Sequence, residues 1–161
     1  MSEERKVAII TGSSQGLGAS IAIKLSQRNI NLVINYSNNK DMALKIKDEC
    51  VNNGVEAITV QADVSSDDDC KKLVQETINT FGKVDILVNN AGTTKFADHS
   101  KLDKLNDEDF INIYKVNVIG PYQMIRAVEP IMKENGFGSV VNISSIAGKT
   151  GIGSSIAYAA S

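Results

Sequence analysis

Apolar residues gather in five short runs, at residues 7–10, 32–34, 57–60, 84–88 and 140–143. They read apolar on both faces rather than alternating with polar positions. That pattern predicts strands buried on both sides in a parallel sheet. Between the runs the apolar spacing changes to a helical one. Residues 17–28 place Ile21, Ala22 and Leu25 on one face, and residues 40–53 place Ala43, Leu44, Ile46 and Val51. A third helix follows the Ser65-Ser66 pair and carries Leu73, Val74, Thr77 and Ile78. The acids Asp67, Asp68 and Asp69 after the serines suit the positive end of that helix. A fourth, longer pattern covers residues 107–133 and contains Pro121 and Pro130.

Strand and helix alternate at roughly 25-residue spacing, the pattern of βαβ units. Right-handed crossovers then predict an α/β fold with a doubly wound parallel sheet in the order 3-2-1-4-5. No Pro/Gly/Ser-rich linker divides the chain, so residues 1–161 are expected to form one domain.

Seventeen basic residues against nineteen acidic ones give a formal charge of −2. That balance supplies no electrostatic reason for a nucleic-acid or anionic-membrane partner. No apolar run approaches the ~20 residues that span a bilayer. The polar start, residues 1–6, is unlike a secretory leader. Cys50 and Cys70 are expected as unpaired thiols in a reducing cytoplasm. His99 stands alone among charged loop residues and is expected to be solvated, since a metal site would need more ligands.

Candidate chemistry begins after the first run, at Thr11-Gly12-Ser13-Ser14-Gln15-Gly16-Leu17-Gly18. Glycines allow a tight turn and close approach of the backbone to a ligand. The helix that follows presents open amides and a partial positive charge, which together suit a pyrophosphate. The spacing is G-x-x-x-G-x-G, and here the chain resembles the short-chain dehydrogenase/reductase family. Asn89-Asn90-Ala91-Gly92 matches that family's N-N-A-G, and Asp63-Val64 its pair near the adenine. Asn117, Ser145 and Tyr158 fall where the family keeps its catalytic Asn, Ser and Tyr, the serine thirteen residues before the tyrosine. Neighbouring Ser144 is set aside on family spacing alone. The closest group in appearance is the 3-oxoacyl-[acyl-carrier-protein] reductases, with sugar and alcohol dehydrogenases as rivals.

The resemblance implies a Rossmann-like fold and hydride transfer between a nicotinamide dinucleotide and a carbonyl or secondary alcohol, either a small molecule or a carrier-bound 3-oxoacyl thioester. It also implies a cytoplasmic homo-oligomer, a tetramer or dimer. The cofactor-binding residues would be Gly12, Ser13, Ser14, Gln15, Gly16, Leu17, Gly18, Ser37, Asn38, Asp63, Val64, Asn90, Ala91 and Gly92. An NAD-preferring site usually carries a carboxylate after the second strand. Here Asn35-Tyr36-Ser37-Asn38-Asn39-Lys40 holds none, which favours NADP(H) and leaves NAD(H) as the alternative. Many NADP-dependent relatives have an Arg where this chain has Gln15.

Tyr158 would be the proton donor in reduction, with Ser145 holding the carbonyl oxygen. Free tyrosine titrates near ~10, and lowering that to ~7 takes about 4 kcal/mol of phenolate stabilisation. One cation at ~4 Å supplies roughly that much at an effective dielectric of ~20. The family's cation is a Lys four residues after the Tyr, at position 162, beyond Ser161. The family's C-terminal elements are likewise expected to be missing from the sequence, with the fifth strand left as a sheet edge. A non-catalytic cofactor-binding or interaction protein is therefore the second reading. Pro121 has no N–H for the carbonyl of Asn117, which predicts a kink and a free main-chain oxygen at Asn117. Asn89 is an even choice between a bridge across strands and a binding residue. Gly148, Gly151 and Gly153 predict a flexible loop over the site.

Overall fold

Five parallel strands carry the apolar runs: β1 (Val7–Ile10), β2 (Asn31–Tyr36), β3 (Ala57–Gln61), β4 (Ile86–Asn89) and β5 (Ser139–Asn142). Their order is β3-β2-β1-β4-β5, as the crossover rules predict. The computed structural model describes residues 5–161. Residues 1–4, part of the start judged unlike a leader, lie outside the described residues. Helices α1 (Gly16–Ser26) and α2 (Lys40–Asn52) cover one face, and α3 (Asp67–Phe81) and α5 (Gly120–Glu134) the other. The period-2 alternation of β1 divides the core between these layers. Val7 and Ile9 pack with Leu73, Leu87 and Met124, whereas Ala8 and Ile10 pack with Ala22, Ile34 and Ala43.

Local chemistry sets the helix ends. The Ser66 hydroxyl accepts from the Asp69 amide at 3.3 Å, and Asp67–Asp69 fill the first turn of α3. Asn39 caps α2 through the Met42 amide at 3.1 Å. On α2 the buried face differs from the predicted one. Val51 is 45% exposed and Cys50 is fully buried, because the face toward the sheet runs through Ala43 and Cys50. Burial pushes the Cys70 thiol up to about 11, with Asp67, Asp69 and Asp63 adding to the effect. Both cysteines are unpaired.

The fourth helical pattern is not one helix. It divides into α4 (Asp107–Tyr114), a π-helical turn at Lys115–Ile119, and α5. The Gly120 amide reaches back to the Lys115 carbonyl. Pro121 cannot donate, and the widened turn takes up that fault in the ladder. Pro130 sits on the exposed side of α5 without ending it. A capping box of Asn106 and Asp109 starts α4.

Burial on both faces fails for β5. It is the sheet edge among the described residues, and Val140 and Val141 are 40% and 44% exposed. His99 also departs from expectation. It is half-buried, and its Nε2 has no hydrogen-bond partner among the described residues. The segment around it folds against the 153–154 loop, where the Ala97 amide donates to the Ser154 carbonyl at 2.9 Å.

The two helix faces make a direct test. Leu73→Ala should cost about 2–5 kcal/mol of stability, the range for emptying a closed core site. Val51→Ala should stay within about 0.5 kcal/mol, as at ordinary surface positions. Urea denaturation of both variants measures this, and similar costs at the two positions would contradict the assignment of the α2 face.

Candidate functional site

A polar side chain inside an apolar strand organises the carboxyl end of the sheet. Asn35, on β2, is only 1% exposed. Its Oδ1 accepts from the Gly12 amide at 3.0 Å, and its Nδ2 donates to the carbonyls of Val60 at 3.3 Å and Ala62 at 3.0 Å. Its main chain is committed to the same turn. The Ser13 amide donates to the Asn35 carbonyl at 2.9 Å, and the Asn35 amide donates to Ser13 Oγ at 3.0 Å. The turn after β1 is thereby fastened to β2 and β3. From the other side, Asn90 Nδ2 donates to the carbonyls of Thr11 and Gly12 at 3.0 and 3.1 Å. Thr11 Oγ1 accepts from the amides of Asn90 and Ala91, each at 3.0 Å.

These bonds sort the predicted residues. Gly12 and Ser13 direct their amides inward to Asn35, and Ser13 is fully buried. The first helical bond of α1 runs from the Ala19 amide to the Gln15 carbonyl, so the amides of Gly16, Leu17 and Gly18 precede it. Those amides are the turn's supply of donors for an anion. Gly16 has a φ of +59°, and a Cβ there would stand in open space with no atom within 4 Å. At Gly18 the constraint is contact, because a Cβ would lie 2.4 Å from Asn90 Nδ2 and 2.7 Å from the Gly12 carbonyl.

A cleft of about 470 Å³ opens over this turn. Its lining includes Gly12, Ser14, Gln15, Gly16, Ser37, Asn38, Asp63, Val64, Asn90, Ala91 and Gly92 from the predicted set. Ser13, Leu17 and Gly18 do not line it. Leu17 is 56% exposed, and Gly18 packs beneath Asn90. The Asp63 carboxylate accepts from the Ser65 amide at 2.9 Å. At Ser37 and Asn38 the lining is hydroxyl and amide, and Asp63 is the carboxylate among the lining residues. Amide donors at a helix start and an open cradle at Gly16 together fit the pyrophosphate of a dinucleotide.

A second cleft of about 460 Å³ adjoins the first through Asn90, Ala91 and Gly92. It brings together Asn117, Ser144, Ser145 and Tyr158, with Asn142 and Pro121 beside them. Ser145 Oγ accepts from the Ala147 amide at 3.1 Å, which leaves its O–H able to donate. Tyr158 lies in a one-turn helix, α7 (Ile156–Ala159). Ser155, fully buried, caps that turn by accepting from the Tyr158 amide at 3.2 Å. A helical turn therefore carries the tyrosine although few residues follow it. The glycine loop is likewise part helix, with α6 at Ala147–Thr150 ending on Gly151.

The Asn117 side chain pairs with main chain as a strand would. Its Oδ1 accepts from the Thr93 amide at 2.8 Å, and its Nδ2 donates to the Thr93 carbonyl at 3.0 Å and to Ser161 Oγ at 2.9 Å. The segment so held is also tied through Thr94 and Ser154, whose hydroxyls are 2.5 Å apart. Lys95 reaches Asp109 at 2.7 Å and holds that carboxyl below the ordinary range, with the Asn106 amide adding to the effect. Asn89 bridges strands by donating to Asn142 Oδ1 at 2.9 Å, while its own Oδ1 is buried without a partner among the described residues. No Lys or Arg stands among the lining residues of either cleft.

Known proteins share this fold. The profile of the short chain dehydrogenase family matches residues 6–161. The chain belongs to that family. It is 36% identical over 146 residues to a 3-oxoacyl-[acyl-carrier-protein] reductase of Staphylococcus epidermidis, covering 91% of this chain and 59% of that protein. Ketoacyl reductase 2 of the granaticin polyketide synthase of Streptomyces violaceoruber is 39% identical over 158 residues, 98% of this chain and 62% of its own length. Among solved structures, a short-chain dehydrogenase/reductase from Burkholderia xenovorans superposes with a TM-score of 0.95 at 38% identity, covering 99% of this chain and 67% of that one. NAD+-bound xylitol dehydrogenase gives 0.90 at 27% identity, covering 99% and 60%. This chain thus spans about three-fifths of the curated relatives it matches.

Sequence reasoning passed over Asn35 and Ser155. An asparagine within an otherwise apolar strand was the available signal for the first, since a buried amide must find partners. Replacing Asn35 by Leu leaves the Gly12 amide and two β3 carbonyls without their side-chain partner. It should destabilise the protein by about 1–3 kcal/mol or more. It should also weaken dinucleotide binding beyond what the stability loss explains. Denaturant titration and calorimetry check the two effects, and unchanged nucleotide affinity in a folded variant would remove Asn35 from the site.

Proposed function

We propose that residues 1–161 form a single dinucleotide-binding domain of a cytoplasmic, homo-oligomeric oxidoreductase. The enzyme transfers a hydride between NADP(H) and a carbonyl or secondary alcohol, and a 3-oxoacyl thioester is the first substrate to test. The observation that carries this reading is the convergence of Ser145 and Tyr158 in a cleft continuous with the phosphate-binding turn. The similarity to a 3-oxoacyl-[acyl-carrier-protein] reductase and a ketoacyl reductase supports the substrate class. No helix among the described residues is long and apolar enough to cross a membrane.

In this reading the amides of Gly16, Leu17 and Gly18, with Ser14 and Gln15, hold the pyrophosphate. Asp63 and Val64 border the adenine, and Asn90, Ala91 and Gly92 border the nicotinamide. The bound cofactor supplies the hydride. Ser145 donates its O–H to the substrate carbonyl oxygen, polarising it and placing it beside the tyrosine hydroxyl. Tyr158 gives that oxygen its proton in reduction and takes it back in oxidation. Asn117 holds the Thr93 segment at the edge of the cleft through its carboxamide.

The choice of NADP(H) over NAD(H) rests on the corner formed by Ser37 and Asn38, where no carboxylate opposes a 2′-phosphate. Asn38→Asp should therefore lower NADPH affinity about tenfold or more while sparing NADH, since like charges at such distances repel strongly. Titration of the intact natural protein with both cofactors decides this, and an unmutated protein that binds NADH as tightly would defeat the preference.

Three substitutions test the chemistry. Tyr158→Phe removes the proton donor but keeps the ring, so turnover should fall by about 10²–10⁴ with cofactor affinity unchanged. Ser145→Ala should cost about 10²–10³, by analogy with loss of one oxyanion donor, and Ser144→Ala much less. Steady-state kinetics with 3-oxoacyl thioesters and simple ketones provide the comparison. A larger defect in Ser144→Ala would move the assignment by one residue.

A further inference from the structure

We infer that Gln61 is a positioning residue that sets selectivity for a 2′-phosphorylated ribose, a role that rests on the NADP(H) reading above. Gln61 ends β3, opposite Tyr36 in the parallel register. It is exposed and makes no part of the cleft wall. Its Nε2 nonetheless crosses to the next strand and donates to the Ser37 carbonyl at 2.8 Å. Ser37 and Asn38 do line the cleft.

The consequence follows from peptide geometry. The Ser37 carbonyl is an acceptor on this short turn that would repel a phosphate oxygen at close range. Gln61 fixes the Ser37 carbonyl toward β3. In a planar trans peptide the following N–H points the opposite way, so the Asn38 amide is directed away from Gln61. What remains for a ligand at this corner is the Ser37 hydroxyl, the Asn38 carboxamide and the Asn38 N–H, all able to donate. No Lys or Arg lines the cleft among the described residues, so selectivity for a phosphate depends on orienting neutral donors and turning the acceptor away. Further along, Asn39 is engaged in capping α2, which fixes the other end of the turn. Gln61 therefore acts on the ligand through Ser37 and Asn38 rather than by touching it.

The test uses two fragments that differ in the 2′-phosphate, 2′,5′-ADP and 5′-AMP, titrated calorimetrically into the intact natural protein. Gln61→Leu removes the donor, and Gln61→Glu keeps the length while replacing the donor with a charged acceptor. For Gln61→Leu the 2′,5′-ADP affinity should fall about 5- to 10-fold with 5′-AMP affinity unchanged, the loss of one hydrogen bond's influence. Gln61→Glu should fall further. Equal weakening of both fragments would mark Gln61 as merely structural and overturn the inference. A wild-type preference for 2′,5′-ADP that persists in both variants would overturn it as well, while leaving the NADP(H) reading in place. Equal wild-type affinity for the two fragments would defeat the NADP(H) reading, and this inference with it.

Discussion

The hydrogen bonds of one buried amide, Asn35, hold the ligand-facing end of this fold together. Parallel strands leave their carboxyl ends ragged, and the chain must leave each one with unpaired main-chain groups. Asn35 satisfies the Gly12 amide and the Val60 and Ala62 carbonyls at once, tying the turn after β1 to two other strands. Asn90 completes the clamp from β4. Because the inner amides of the turn are committed to these bonds, the outer ones at the start of α1 are left for a ligand. The shape of the cleft is thus set by the same bonds that hold the sheet end together.

The second half of the site depends on another polar clamp. Asn117 lies in a π-helical turn, and its carboxamide pairs with Thr93 on both its donor and acceptor sides. Thr94 and Ser154 then fasten that segment to the loop before Tyr158. Three chain segments far apart in sequence are brought to one wall. Ser145 and Tyr158 sit on short local turns, with Ser145 accepting from the Ala147 amide and Ser155 capping the tyrosine's helix.

Much of this was legible in the residues. Apolar runs without alternation gave the parallel sheet, and crossover handedness gave its order. The serine and three acids before α3 marked its start. The glycine spacing located the turn between β1 and α1 that lines the first cleft. Other features were not legible because they depend on partners distant in the chain. Val51 and Cys50 are both compatible with an apolar helix face, and only the direction of α2 against the sheet distinguishes them. The break at Pro121 was predicted as a kink, and it takes the form of a π turn in which the Gly120 amide reaches back to the Lys115 carbonyl. Ser13 was expected among the cofactor-binding residues from its place in the glycine turn, yet its hydroxyl donates to the Ile10 carbonyl inside the protein. His99 looked solvated from its charged neighbours, but it is half-buried with its Nε2 shielded from water, in a segment that the Ala97 amide ties to the 153–154 loop.

The central claim is that this turn receives a dinucleotide phosphate on the outer amides of α1 while Asn35 retains the inner ones. An amide-resolved NMR titration with NADPH tests it most directly. The amides of Gly16, Leu17 and Gly18 should show the largest shifts, those of Ser37 and Asn38 should follow, and those of Gly12 and Ser13 should remain protected from exchange with and without ligand. Unmoved resonances at Gly16–Gly18, or loss of protection at Gly12 on binding, would contradict the account.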